Sequence, residues 1–208
     1  MAEKFRREAG HCLPFSLPPE WRPEMGGSFE FKSERFLMRP PRPKDARQIA
    51  CCVNDRDMAR NLARLPHPYA PQDALDWIAY AEKARAQGTE YAFVITHEEA
   101  GVIGSVGFNR TKGEAWEIGY WVDRAVQGKG VATEATSALL AWGEATFGVT
   151  QFIAGHFQDN PASGRVLEKL GFVRVGEKQL YSLARGGKDA AWRYALRATP
   201  EMAMGPAH

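Results

Sequence analysis

The run AWEIGYWVDRAVQGKGVATEATSALLAWGEATF, residues 115–147, constrains the fold of this chain more than any other segment. Its first part alternates. Trp116, Ile118, Tyr120 and Val122 fall on one face of an extended strand, and Glu117, Gly119 and Trp121 on the other. Its last part repeats Val131, Ala135, Ala138, Leu139 and Trp142 at three- and four-residue intervals, the spacing of one helix face. Between the two lies Gln127-Gly128-Lys129-Gly130-Val131-Ala132. A glycine-rich turn that opens a helix exposes successive backbone N–H groups beside the positive end of the helix dipole. Glycine lets such a backbone bend sharply and approach a diphosphate closely. The same residues also suit an ordinary strand-to-helix turn. Neither common nucleotide fingerprint fits, since Val131 follows Gly130 and the spacing GKGVAT has no third glycine.

The elements around this run predict one α/β domain with a mixed, mostly antiparallel twisted sheet flanked by helices. Residues 34–39 read as a short strand. KDARQIACCVN reads as a helix with Ala46, Ile49, Cys52 and Val53 on one stripe. A short helix and the loop LPHPY follow within residues 55–69, then a helix that starts at Pro71 and ends at Gly88, with Leu75, Ile78, Ala79 and Glu82 as its amphipathic period. Tyr91–Ile95 and Val102–Phe108 read as a hairpin, QFIAGHF as a strand, and VRVGEKQLYSLA with DAAWRYALRA as a closing hairpin around RGGK. Residues 1–30, rich in Pro, Gly and charge, read as a partly ordered extension in which Phe15, Trp21 and Phe29 could pack on the domain or on a partner. The domain is expected over 31–197 and a flexible tail over 198–208.

Composition narrows the chemistry. The chain has 208 residues, 44% apolar, with a net charge of +2 spread along its length. Nucleic acid is therefore not the expected ligand. No apolar run approaches the length of a membrane span, and prolines break the segment after the charged start, so neither a membrane nor a secretory route is expected. Cys12, Cys51 and Cys52 give no disulfide framework and, with the scattered histidines, no metal spacing. A cytoplasmic protein without a metal is the expectation.

A second segment, NPASGRVLEKLGF, reads as a capped helix. Asn160 can cap it, Pro161 suits its first position, and Gly171 can end it with Phe172 packing back on Val166 or Leu167.

These two segments together resemble the Gcn5-related N-acetyltransferase (GNAT) family. Its signature Q/R-x-x-G-x-G/A is matched in full by Gln127, Gly130 and Ala132, and EIGYWVDRAVQGKGVATEA looks like its RimJ/RimL-like branch of ribosomal-protein acetyltransferases, which also contains enzymes acting on small amines and antibiotics. The resemblance spans about residues 33–196. It implies a GNAT-like acyl-CoA N-acyltransferase fold, acetyl-CoA as donor and an amine as acceptor. It implies that the strands at Glu117–Val122 and Phe152–His156 splay. The pantetheine arm would lie between them along Gly119, Tyr120, Trp121 and Val122, with the diphosphate on the amides of Gln127, Gly128, Lys129, Gly130, Val131 and Ala132. It implies that Asn160 contacts the arm and that Ser163 lies near the sulfur, as proton donor or as orienting hydrogen-bond partner. A tyrosine used elsewhere in the family is replaced here by Val166-Leu167.

Acyl transfer from a thioester needs a neutral amine, a donor to the oxyanion and a route out for the thiolate. Glu117, a carboxylate on an aromatic and aliphatic strand, is the candidate base, directly or through water; a rim charge is the other reading. The branch can carry a second acidic residue late in the chain. Ser182 stands there, beside Tyr181, and Asp189 would need a slip to substitute. Tyr69, Tyr181 and Glu117 are the expected acceptor contacts, with a core aromatic the equal reading for both tyrosines; Trp77 and Trp192, also candidates, read rather as core aromatics, and the lone His67 and His156 as structural or exposed residues of a type that titrates near neutrality. Three functions stay open: acetylation of a protein or peptide N-terminus, acetylation of a small amine or antibiotic, and non-catalytic CoA binding. A homodimer is also open.

Overall fold

The computed structural model describes residues 29–197. The tail at 198–208 and the expected extension, apart from Phe29 and Glu30, lie outside the described residues. Strands are β1 (Phe31–Lys32), β2 (Leu37–Arg39), β3 (Glu90–His97), β4 (Gly101–Arg110), β5 (Trp116–Val122), β6 (Gln151–Phe157), β7 (Val173–Ser182) and β8 (Gly187–Arg197). Helices are α1 (Ala46–Val53), α2 (Arg56–Ala59), α3 (Pro71–Ala86), α4 (Val131–Phe147) and α5 (Pro161–Lys169). One sheet runs in the order β1-β2-β3-β4-β5-β6-β8-β7. Every pairing is antiparallel except β5 with β6, which are joined by the α4 crossover that a parallel pair requires.

Helices cover both faces. On one face Tyr91, Phe93, Phe108, Trp116 and Phe152 pack with Val131, Ala135, Leu139 and Leu140 of α4. Phe108 and Trp116 meet edge to face at 4.8 Å, and Tyr91 lies 4.6 Å from Phe147. Phe29 and Phe31 join this aromatic group, so the end of the expected extension packs on the domain. On the other face Val94 and Val102 pack with Ile49, Val53, Ala74 and Ile78 of α1 and α3. Burial on both faces explains why β3 and β4 read as nearly continuous apolar runs.

Two expectations shift in detail. The strand expected at 34–39 is confined to Leu37–Arg39, because Ser33 N–H donates to Phe36 O at 2.9 Å and closes a turn before it. The buried face of α3 is Ala74, Ile78, Ala81 and Ala84, and Leu75 is exposed. Ala74 and Ile78 pack with Ile49 and Val53 of α1, and the helical period from these positions leaves Leu75 toward solvent. No helix among the described residues is long and apolar enough to cross a membrane.

Candidate active site

β5 and β6 pair only at Trp116↔Phe152 and Glu117↔Ile153. Beyond that point β5 stays with β4 as far as Val122↔Gly104, and β6 stays with β8 as far as Phe157↔Ala191. The sheet therefore parts directly after Glu117. Gly119 is exposed on the open stretch, and a Cβ there would meet nothing within 4 Å.

The C-terminal end of this opening leads into the glycine turn. Arg124–Val126 form a short 3₁₀ turn capped by Asp123, whose side chain accepts from Ala125 N–H at 2.8 Å. Gly128 and Gly130 have φ of +76° and +79°, so both sit in the left-handed region, which costs an L side chain about 1–2 kcal/mol. The first backbone bond into α4 is Glu134 N–H to Gly130 O at 3.0 Å. The amides of residues 131–133 precede it and have no intrahelical acceptor, which suits an anion at this helix start. The side chains of the turn mostly serve its shape. Gln127 Nε2 donates to Val122 O at 3.1 Å, and Lys129 Nζ donates to Ala125 O at 3.1 Å. Arg35 Nη2 donates to Lys129 O at 3.2 Å and its guanidinium pairs with Glu134 at 2.7 Å. Val131 is buried in the core. A cavity of about 590 Å³ lies alongside, lined by Gly130, Thr133, Ser137 and Lys169 among others.

Glu117 is one third exposed and paired. Lys178 Nζ on β7 donates to its Oε1 at 2.7 Å. Lys178 was not among the sequence candidates, and its link to Glu117 spans β6 and β8.

Across the opening, α5 is built as its sequence implies. The Asn160 side chain accepts from Ser163 N–H at 3.4 Å and donates through Nδ2 to Ser163 Oγ at 3.0 Å. Tyr120 Oη donates to the carbonyl of Ser163 at 3.0 Å, tying β5 to the first turn of α5, and burial pushes the phenol pKa up. His156 is buried beneath the helix. Its Nδ1 lies 2.8 Å from Phe157 O, and a carbonyl only accepts, so Nδ1 carries the hydrogen. Nε2 is left unpaired, and a Cβ on Gly164 would fall 2.9 Å from it. Glu117 and Ser163 thus approach the opening from opposite faces of the sheet.

The residues expected at the acceptor end are less gathered. Tyr69 is buried in the α1–α3 core, its backbone N–H held by Asn54 Oδ1 at 3.0 Å, and burial raises its phenol pKa. Trp121 and Trp77 pack against the same core. Tyr181 is partly exposed and, being one residue from both Leu180 and Ser182, lies on the face opposite theirs. Ser182 is fully buried and donates to Leu62 O at 3.0 Å. Asp189 pairs with Arg185 at 2.6 Å at the hairpin end rather than beside Glu117. Arg185 also binds Asp159 at 2.7 Å and Arg60 O at 2.7 Å, so the β7–β8 hairpin is clasped to the segment between α2 and α3. Among the described residues no group of His, Cys, Asp or Glu is arranged to hold a metal ion.

A mixed sheet that parts at its one parallel pair, with a glycine turn opening the crossover helix, defines an acyltransferase-like α/β domain. Residues 35–173 match the model of the acetyltransferase (GNAT) domain, and the chain belongs to that family of N-acetyltransferases. It is 29% identical to the uncharacterized N-acetyltransferase p20 of Bacillus licheniformis over 79% of this chain and 93% of that one. It is 33% identical to the ribosomal-protein-serine acetyltransferase of Escherichia coli (strain K12), over 43% of this chain and 51% of that one. The microcin C7 self-immunity acetyltransferase MccE, solved in complex with acetyl-CoA and AMP, shares the fold with a TM-score of 0.71 at 20% identity, over 79% of this chain and 93% of that one.

Proposed function

We propose that this protein moves an acetyl group from acetyl-CoA to the N-terminal amine of a polypeptide, by direct attack within a ternary complex. One observation carries this reading: the sheet opens directly after Glu117, and the same strand leads from that carboxylate, through the Arg124–Val126 turn, to Gly128–Gly130. A base and an anion site thus bound one cleft. The residues fit the donor. The left-handed glycines turn free amides toward a diphosphate, the open stretch Gly119–Val122 can receive an extended arm, and Asn160 stands across from it. Acetyl-CoA would supply an activated carbonyl and a thiolate that leaves readily.

Glu117 accepts the proton of the attacking amine, directly or through a water. Ser163 Oγ, held by Asn160, is set to donate to the departing sulfur. Proximity within the cleft contributes as much as either group. A polypeptide acceptor is supported by the exposed strand face at Glu117 and Gly119, and by the relative named for a ribosomal-protein serine. Ser182 supplies no second carboxylate, so Glu117 acts without one from that position.

A thiol-release screen with acetyl-CoA tests the proposal across peptides with different first residues and a panel of small amines. Turnover with a subset of peptides is expected. Turnover confined to small amines would overturn the polypeptide acceptor, and failure to bind CoA would overturn the donor.

A further inference from the structure

The ion pair at Glu117 is built by two separate devices. β7 carries an irregularity between Arg174 and Gly176, so that Gly176 pairs with Arg193 and Lys178 with Ala191. Were the ladder to run on regularly from Arg174↔Tyr194, Lys178 would fall opposite Ala190 and turn to the other face of the sheet. With the irregularity, Lys178 shares a face with Gly155 and Glu117. Gly155 then clears the path: a Cβ there would lie 2.6 Å from Lys178 Cε and 3.1 Å from Trp192 O. The ammonium then reaches Glu117 Oε1 at 2.7 Å, at the vertex where β5 and β6 part. Gly155 itself lies on the part of β6 that no longer pairs with β5.

An amine within hydrogen-bond distance of the general base, at the mouth of the cleft, occupies the place that an acceptor amine must take. We propose that Lys178 is a site of self-acetylation, filled when acetyl-CoA is bound and no acceptor competes. The proposal rests on the acyl-CoA reading above. Glu117 takes one proton from the Nζ ammonium, the neutral amine bonds to the acetyl carbonyl carbon, the C–S bond breaks, and the second proton passes from the acylated nitrogen to the departing CoA thiolate. The product is a neutral amide, so the ion pair with Glu117 is lost and the carboxylate is released from its internal partner. The protein would thus change its own acceptor end in proportion to the time spent without an acceptor.

The test incubates the full chain with acetyl-CoA alone and follows each lysine by peptide mass spectrometry, with CoA affinity measured by calorimetry on the same samples. Lys178 is expected to gain an acetyl group about a hundredfold faster than the exposed Lys44 and Lys112. The rate per molecule should not depend on protein concentration. In Glu117→Gln, Lys178 should fall to the rate of the exposed lysines while CoA affinity is kept. Lys178→Arg, which preserves the charge, should abolish the fast phase. Intact CoA binding with Lys178 no faster than Lys44, or a fast phase unchanged in Glu117→Gln, overturns the proposal. Absence of CoA binding overturns the donor reading itself and this proposal with it.

Discussion

The two ends of the cleft are made in different ways. In the proposed arrangement the donor end is backbone: left-handed glycines, helix-start amides without intrahelical acceptors and an open strand edge, all within residues 117–133. The proposed acceptor end is side chains drawn from distant parts of the chain. Glu117 pairs with Lys178, Ser182 bonds to Leu62 O, and Arg185 bonds to Asp159 and to Arg60 O. Backbone geometry suits a donor whose diphosphate presents the same shape every time. Side-chain contacts can be altered one at a time without disturbing that geometry, so an acceptor end built from them can diverge while the donor end stays fixed.

That division is broken most severely at Glu117, where the two ends meet. Glu117→Gln is expected to lower kcat by roughly 10²–10³, the range of a lost general base, with CoA affinity unchanged. Steady-state kinetics over pH, with calorimetry for CoA, measure both. A pH–rate profile identical to that of the native protein would remove Glu117 as the base.

At the donor end, Gly130→Glu is expected to weaken CoA binding by roughly a hundredfold. The left-handed conformation at +79° costs a side chain about 1–2 kcal/mol, and the new carboxylate adds repulsion toward a diphosphate. Calorimetry with circular dichroism on the same sample reads affinity and fold separately. Unchanged affinity in a folded variant would displace the diphosphate from this turn.

The same contrast governs what could be read from the sequence. Gln127–Ala132, the alternation of β5 and the Asn160 cap are local patterns, and residues that sit together in the chain act together in space. The core stripe Ala46, Ile49, Cys52 and Val53 was legible for the same reason, and all four are buried. Lys178 was not legible, because its partner depends on an irregular register in β7 and on a glycine in β6. Ser182 could be aligned with the place of an acidic residue, yet its use as a buried bond to Leu62 O appears only when the hairpin is docked. Tyr69, in the loop LPHPY, read either as an acceptor contact or as a core aromatic, and only the packed fold shows it within the α1–α3 core.

Ser182 gives the acceptor end a smaller test. Ser182→Ala leaves Leu62 O without its buried partner, at a cost of about 1–3 kcal/mol. Chemical denaturation should read this loss, and KM for the acceptor should rise while CoA affinity holds. A parallel fall in CoA affinity would mean that the two ends are not independent.

The smallest effect concerns the clasp at Asp159. The Arg185 hydrogen bond, opposed in part by burial, holds this carboxyl below its ordinary value of 3.8. A depressed folded pKa means that the unfolded chain binds the proton more readily. The stabilisation is therefore complete above the ordinary value and is lost as the pH falls through the lower folded value. Asp159 is about half exposed, so solvent screens the pair and the effect is modest. Comparing the Tm of the native protein with that of Asp159→Asn reads it together with the smaller share of Arg60, which binds the other carboxylate oxygen at 2.7 Å. Their difference should be constant from neutral pH to about pH 5 and shrink below about pH 4. A difference that grew on acidification would reverse the sign of the coupling and would mean that Arg185 does not hold the hairpin through Asp159. Were the difference to vanish at all pH values, the bond to Arg60 O and the stacking of Arg185 on Phe157, 4.0 Å from its ring centre, would be carrying the clasp alone.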